Sequence, residues 1–440
     1  MAAIVNVKLW GTTIGTLGYE PGQTEIATFE YNKEFLKIGV SPSPLKLEQS
    51  TLPYAFYDIS HRTFHGLPGF IADSLPDKFG NQLIDQYFAE KGISPDSVTA
   101  LDRLLYVGKR AMGALEYEPS ENFEGDSVGT ELNLESLSEL AEMVLIKQDE
   151  FKKELHQANR KNAINLLRIG SSAGGARSKA LVAIDSKGKL YDGTLQQAFP
   201  CRYYLLKFDS SSNSDRDNKD PKGMTRVEYI YSLIAKECKI HIPETDFIET
   251  GEDFHFLIER FDRVVSEDGN KLSKAHYVSW CGIAHADRDT TGAYSYEQLV
   301  ITARELGLGQ DDVSEIFKRA IFNIIGRNQD DHTKNFGFLM NRNGKWKLAP
   351  AFDMTYSFDP TGKWTKVHQI KFNKKQDSFT IEDFISFGKL CNINEKKVVA
   401  IVQSTIEAFD KFADYAEKYN VSVALKQTVL SNIRKNFNIL

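Results

Sequence analysis

Hydrophobic and polar positions follow two periods along this chain, and the change of period predicts where strands give way to helices. Apolar residues alternate with polar ones over residues 4–19 and 27–31, which predicts a small antiparallel sheet. Residues 67–91 and 99–107 carry apolar side chains at helical spacing, and residues 112–117 alternate again. The first part of the chain is therefore predicted to be a small β-sheet accompanied by helices.

The rest of the chain changes period in the same way. Short alternating or continuous apolar runs predict strands at residues 180–184, 203–208, 245–250, 254–259, 336–340, 345–348 and 368–372. Longer amphipathic stretches predict helices at residues 134–146, 151–158, 224–238, 280–284, 295–306, 311–327, 381–390, 395–415 and 421–439. The pattern thus predicts an α+β fold with a C-terminal lobe rich in helices.

Composition adds the number of domains. The chain has 440 residues, of which 41% are hydrophobic and 26% charged, as is typical of a globular protein large enough for two or three domains. Residues 121–129 are acidic and polar and contain glycine, as linkers do. We therefore predict an N-terminal domain at residues 1–125 and a larger domain at residues 126–440.

Charge and cysteine usage exclude several classes of function. The net charge of −6 argues against a basic face that grips nucleic acid directly. The four cysteines, Cys201, Cys238, Cys281 and Cys391, lack the spacing of a zinc site, which favours reduced, packed thiols. Neither a signal peptide nor a run of 18 apolar residues is present. These features predict a cytoplasmic protein without a membrane segment.

Candidate chemistry is concentrated between a predicted helix and a predicted hairpin. Asp330 and Asn335 stand five positions apart, and Asp353 follows between two apolar neighbours. This order suits phosphoryl transfer, in which one Asp orients the attacking hydroxyl while an Asn and a second Asp hold the metal. The alternative is that these residues are turn formers or caps.

Two further segments carry features that suit phosphate binding. Residues 169–179 contain three glycines and three serines before a predicted strand, and backbone N–H groups in such loops bind phosphate. Lys207 lies in an apolar strand, where a lysine is costly unless it is paired or binds an anion. The alternatives are a plain hairpin loop and an edge-strand lysine that reaches water.

Residues 330–335, Asp-Asp-His-Thr-Lys-Asn, resemble the D-x-H-x-K-N catalytic motif of the HipA family of bacterial serine/threonine kinases. The one departure is Asp331, where glycine is frequent in that family. Residues 259–263, Glu-Arg-Phe-Asp-Arg, resemble the segment that joins the two kinase lobes, although Arg260, Asp262 and Arg263 are also compatible with surface ion pairs. Gly113 matches a landmark of the N-terminal domain, and by itself indicates tight packing.

The resemblance implies a role for each matched residue. It implies a two-domain HipA-like fold whose second domain is a core similar to protein kinases and phosphatidylinositol kinases. Asp330 would be the catalytic residue, and Ser171 or Ser172 the site of autophosphorylation. Asn335 and Asp353 would bind Mg²⁺, and the residues implied for ATP are Gly174, Gly175, Ala176, Lys179, Lys207, Glu259, Phe261, His332, Asn335 and Asp353.

The resemblance also implies partners. It implies the toxin of a toxin–antitoxin pair that binds a HipB-like helix-turn-helix antitoxin and meets DNA only through it. A protein substrate such as an aminoacyl-tRNA synthetase is implied, but no docking motif in the sequence identifies it. Two alternatives stay open: a lipid or small-molecule kinase, and a nucleotide-binding corepressor partner of a DNA-binding antitoxin.

Overall fold

The computed structural model describes residues 4–120, 128–155, 160–171, 177–209, 221–266, 269, 271–433 and 435. By contacts the chain divides into two compact units, neither of which is continuous in sequence. Unit 1 comprises Met1–Lys222, Asp246–Val278 and Met340–Gly344, and unit 2 comprises Gly223–Thr245, Ser279–Leu339 and Lys345–Leu440. The domain boundary at residue 125 falls outside the described residues and stays a prediction.

Unit 1 begins with the predicted small antiparallel sheet. Its strands are β1 (Ile4–Leu9), β2 (Thr12–Tyr19), β3 (Ala27–Tyr31) and β4 (Leu115–Glu118), in the order β3-β2-β1-β4. Alternate residues of β1 are buried, as expected of a sheet with one face on a core. The alternation in the sequence therefore predicted both the strands and their buried face.

Eight helices of unit 1 fall within the described residues. They are α1 (Lys33–Leu36), α2 (His61–Phe64), α3 (Gly69–Ala72), α4 (Lys78–Glu90), α5 (Ala100–Val107), α6 (Leu134–Ile146), α7 (Gln148–Glu154) and α8 (Arg160–Gly170). A capping box between Thr99 and Asp102 starts α5. Helix α8 was not predicted, and it places Gly170 at a helix end rather than in the Gly/Ser loop.

A second sheet in unit 1 contains the strand that carries Lys207. Strands β5 (Lys179–Ile184), β6 (Leu190–Asp192), β7 (Arg202–Lys207), β8 (Thr245–Thr250) and β9 (Asp253–Glu259) form it in the order β6-β5-β7-β9-β8. Strand β7 is therefore central, and the edge-strand alternative for Lys207 is wrong. Strands β10 (Arg263–Val265) and β11 (Leu272–Lys274) form a hairpin, followed by β12 (His276–Ser279).

Unit 2 is mainly helical. Its helices are α9 (Met224–Glu237), α10 (Trp280–Ala284), α11 (Tyr296–Glu305), α12 (Gln310–Ile325), α13 (Ile381–Leu390), α14 (Glu395–Asp410), α15 (Phe412–Lys418) and α16 (Val423–Ile433). Strands β13 (Gly337–Met340) and β14 (Trp346–Leu348) form a hairpin whose tip, Met340–Gly344, clusters with unit 1. Within the ranges given above, no helix is both long enough and apolar enough to span a bilayer.

The strand predicted at residues 368–372 is wrong. Only isolated bridges occur there, from Lys371 to Ser295 and from Phe372 to Lys375. The backbone N–H of Gln369 donates to the Asp331 carboxylate instead of to a neighbouring strand. The alternation in the sequence reflects a segment buried against side chains and not a sheet ladder.

Candidate active site

The loop that follows α12 in unit 2 brings Asp330 and Asn335 together. Helix α12 stops at Gly326, and Arg327 turns the chain in the left-handed region with φ 53°. A short 3₁₀ turn, Thr333–Asn335, then closes the loop. The Nδ2 of Asn335 donates to the backbone oxygen of Asp330 at 2.7 Å. The predicted pair is therefore adjacent in space, joined by a side chain of the motif itself.

The Asp330 carboxylate is accessible while the loop that carries it is anchored. Its side chain is 49% exposed, and Nε2 of His332 lies 3.9 Å from its Oδ1. The Thr333 hydroxyl donates to the backbone oxygen of Ala286 at 2.7 Å. A half-exposed carboxylate on an anchored loop suits a group that accepts a proton from an external hydroxyl.

Asp353 belongs to the same unit and is held by its backbone. The Nδ2 of Asn328, just before the loop, donates to the Asp353 carbonyl at 3.2 Å. Asp353 itself has φ 52°, a conformation in which a non-glycine residue suggests a functional constraint. The Nδ2 of the Asn335 side chain is used in its hydrogen bond to the Asp330 backbone. The Oδ1 of the same side chain is therefore the atom through which Asn335 could bind a metal ion. Amide and carboxylate oxygens are ligands that Mg²⁺ takes, so these residue types fit the ion.

In unit 1, the two lysines predicted to contact phosphate face each other. Lys179 begins β5, Lys207 ends β7, and the two are directly paired in the antiparallel register. Both residues are buried. Directly opposed side chains in such a pair lie on the same face of the sheet, where like charges repel. Two cationic side chains at one position of a sheet are suited to bind the oxygens of a phosphate group, so the arrangement fits the phosphates of a nucleotide.

The two residues predicted to hold adenine by their backbones end and follow β9. The Glu259 side chain forms an ion pair with Arg202 at 2.7 Å, and the Phe261 ring lies 5.4 Å from the Tyr277 ring. Their side chains are thus engaged within unit 1. The role of their backbones in holding adenine stays a prediction.

The Gly/Ser loop lies mostly outside the described residues, and with it Ser172, Gly174, Gly175 and Ala176. Ser171 is described, and it is completely buried. Its hydroxyl donates to the backbone oxygen of Arg168 at 3.4 Å.

Surface ion pairs at residues 260–263 are ruled out. The carboxylate of Asp262 accepts from Arg260 and Arg263, and all three side chains are at most 1% exposed. The same carboxylate accepts from the backbone N–H of Gly113 at 2.7 Å.

Sequence reasoning also missed Asp331, whose partners Tyr296 and His368 lie 35 and 37 positions away. No local spacing could have indicated pairs at such separations.

Comparison with known proteins identifies the family. A family model described as the HipA-like C-terminal domain matches residues 171–412, more than half of the chain. A second, described as the HipA N-terminal domain, matches residues 5–118. Among solved structures, the toxin–antitoxin complex of HipA, HipB and operator DNA from Shewanella oneidensis MR-1 aligns with a TM-score of 0.60 at 15% identity, over 98% of this chain and 97% of that one. This likeness confirms the predicted α+β, two-domain HipA-like fold.

Two curated relatives are described as kinases. A putative kinase from Haemophilus influenzae is 25% identical over 247 residues, which are 48% of this chain and 69% of that protein. The serine/threonine-protein kinase toxin HipA of Shewanella oneidensis is 22% identical over 151 residues, 30% of this chain and 35% of that protein. The two family models together match most of the chain. The chain belongs to the HipA family.

Proposed function

We propose that this chain is an ATP-dependent serine/threonine protein kinase and the toxin of a toxin–antitoxin pair. The observation that carries the proposal is the closed loop in unit 2, where Asn335 binds the backbone of Asp330 and leaves the Asp330 carboxylate half exposed. The relatives described as kinases support the same reaction class.

In this proposal each residue has one role. Asp330 orients the attacking hydroxyl and accepts its proton. Asn335 and Asp353 hold Mg²⁺, which when bound neutralises charge on the phosphates. Lys179 and Lys207 bind phosphate oxygens.

The remaining predicted residues complete nucleotide binding. We assign the phosphates also to the backbone of Gly174, Gly175 and Ala176, the adenine to the backbone of Glu259 and Phe261, and a further ATP contact to His332. Phosphoryl transfer depends mainly on positioning and charge, so the loss of Asp330 should remove nearly all turnover.

We also propose the partners that this function requires. The structural relative is a complex of HipA with HipB and operator DNA, which supports a HipB-like antitoxin as the partner and DNA contact through it. Resemblance to the family favours a translation component such as an aminoacyl-tRNA synthetase as substrate. Pull-down with a cognate helix-turn-helix antitoxin would test the first of these partners.

The test of the proposed function is intact mass after incubation with MgATP. Wild type should gain one phosphate and Asp330→Asn none, while Asp311→Asn, an exposed carboxylate of the same unit, should behave as wild type. Because Ser171 is buried and hydrogen-bonded, we expect fragment masses to map the phosphate to Ser172.

Two results would contradict the proposal. Equal phosphate gain in wild type and Asp330→Asn would refute the catalytic assignment. Tight ATP binding with no transfer to itself, to lysate proteins or to lipid would favour the nucleotide-binding corepressor alternative, whereas transfer to lipid alone would favour a lipid kinase.

A further inference from the structure

Asp331 stands next to Asp330, and its side chain is completely buried. Its Oδ2 accepts from the Tyr296 hydroxyl and from His368 Nδ1, both at 2.8 Å, and its Oδ1 accepts from the backbone N–H of Gln369 at 2.8 Å. A buried carboxylate is costly unless hydrogen bonds replace its hydration, and here donors reach both oxygens. Asp331 therefore ties the loop at once to α11 and to the segment around Gln369.

The hydrogen bonds continue from Asp331 to the backbone of Asp353. The Tyr296 hydroxyl accepts from Asn323 Nδ2 at 3.0 Å, and Asn323 Oδ1 accepts from Asn328 Nδ2 at 2.9 Å. The same Asn328 Nδ2 lies 3.2 Å from the Asp353 carbonyl. One chain of side chains within unit 2 thus connects the neighbour of the proposed catalytic residue to the proposed metal ligand.

This network constrains the two groups whose positions matter for transfer. The loop is already closed on one side by the bond from Asn335 to the Asp330 backbone. The Asp331 carboxylate attaches the same loop to Tyr296, His368 and Gln369. The hydrogen bonds that continue from Tyr296 through Asn323 and Asn328 hold the backbone of Asp353. Buried side chains joined by successive hydrogen bonds restrict one another's positions.

We propose that Asp331 is a positioning residue for phosphoryl transfer, a role that rests on the proposed kinase function. It touches neither nucleotide nor acceptor. It holds Asp330 and Asp353 in the arrangement that transfer requires, through donors supplied by α11 and by residues 368–369.

Asp331→Asn tests the role with the least change of shape. The amide replaces one accepting oxygen by an NH₂ group that meets the donors now facing the carboxylate. Small misplacement of catalytic groups can lower turnover by about 100-fold. We expect the rate of phosphate transfer at saturating MgATP to fall by about that factor, while the ATP concentration for half-maximal rate changes less than about 3-fold, because the proposed phosphate ligands are untouched.

Two further variants separate positioning from stability. Glu315→Gln is the matched control, because Glu315 is also a buried carboxylate of unit 2, bonded to Arg319, Lys318 and the His241 backbone. It should lower the unfolding temperature without changing the rate of the folded protein. Tyr296→Phe removes only the hydroxyl that links Asp331 to Asn323, and it should lower the rate less than Asp331→Asn does.

The assay uses the full chain, with transfer from MgATP to itself or to a generic protein acceptor, at a temperature where circular dichroism shows every variant folded. The effects of Tyr296→Phe and Asp331→Asn should be non-additive in the double variant, because both break one network. If Asp331→Asn does not fold, Tyr296→Phe alone decides. A lowered transfer rate in Tyr296→Phe, with an unchanged ATP concentration for half-maximal rate, supports the positioning role of Asp331, and a transfer rate equal to that of wild type overturns it.

The outcomes distinguish this inference from the proposed function. An active wild type with an unaffected Asp331→Asn, or an equal loss of rate in Glu315→Gln, overturns the positioning role alone. A wild type that transfers no phosphate overturns the proposed function and the positioning role with it.

Discussion

Replacing Asp262 by asparagine should destabilise unit 1 strongly. The Asp262 carboxylate receives four hydrogen bonds, from Arg260 Nε and Nη2, from Arg263 Nη1 and from the Gly113 backbone. Arg263 also donates to the backbone oxygens of Gly113 and Ala111. The cluster therefore joins the segment before β4 to the segment after β9 within unit 1.

The magnitude follows from burial. Removing one partner of a buried ion pair costs about 3–5 kcal/mol, because the other charge stays buried without compensation. Here one carboxylate pairs with two buried guanidinium groups, so we expect a loss of about 5 kcal/mol. That is a large share of the roughly 5–15 kcal/mol by which domains are stable. At about 2 °C per kcal/mol for a large domain, the unfolding temperature should fall by about 10 °C.

The assay is urea denaturation followed by circular dichroism, with thermal unfolding beside it. The control is Glu131→Gln, which breaks the pair with Lys189 whose side chains are 53% and 47% exposed. An exposed pair is worth about 0–1 kcal/mol, so this variant should be nearly unchanged. A loss below about 1.5 kcal/mol in Asp262→Asn would show that the two arginines do not depend on the carboxylate.

The dependence on pH gives a second check. Burial acts to raise the pKa of Asp262, but Arg260 and Arg263 outweigh it and hold that pKa well below its usual range. A group with a lowered folded pKa contributes its stability above its unfolded pKa, about 3.9, and loses it as pH falls further. The difference between wild type and Asp262→Asn should therefore be constant from about pH 7 to 5. A difference that closes within that window would contradict the assignment.

Three further predictions concern other parts of unit 1. Burial lowers the pKa of His276 to about 4, against the opposing hydrogen bond to the Pro42 carbonyl. From pH 6.5 to 4 the free energy of unfolding should thus fall by up to about 3 kcal/mol more in wild type than in His276→Phe, as urea titrations at both pH values would show. Gly113 has φ 78°, and a Cβ there would meet the Tyr277 backbone nitrogen at 3.1 Å. Gly113→Ala should cost at least about 1–2 kcal/mol, and an unchanged urea midpoint would exclude the close contact. Lys207→Met should abolish the rise in unfolding temperature caused by ATP, since it removes one of the two buried lysines proposed to bind phosphate; a full ATP response in differential scanning fluorimetry would contradict the phosphate role.

Much of the fold could be predicted from the sequence because local pattern and tertiary burial agree there. The helix predicted at residues 134–146 has those bounds in the structure, and an Asn133 cap begins it. The helix at 280–284 likewise begins at a Ser279 cap. Helix α8 was missed because its first turn, Arg-Lys-Asn, is polar and carries no amphipathic signal.

The candidate site was only partly predictable, for a related reason. Short spacing identified Asp330 and Asn335, and their contact is local. The facing position of Lys179 and Lys207 required the strand register, which pairs residues from two separate predicted strands. Spacing along the chain cannot supply a register, so the sequence suggested each lysine separately but not the pair.

Buried carboxylates are where the sequence was most misleading. Asp331 and Asp262 both stand among polar neighbours, and each by pattern alone suggests a turn or a surface ion pair. Their burial is stable only because donors come from distant positions, Tyr296 and His368 in one case and Gly113 in the other. Neither carboxylate has a proposed contact with nucleotide, yet each fixes a segment beside a residue that has one. If catalysis here depends on positioning, the variants at these two carboxylates should separate its causes: Asp262→Asn should act through stability, and Asp331→Asn through the rate of the folded protein.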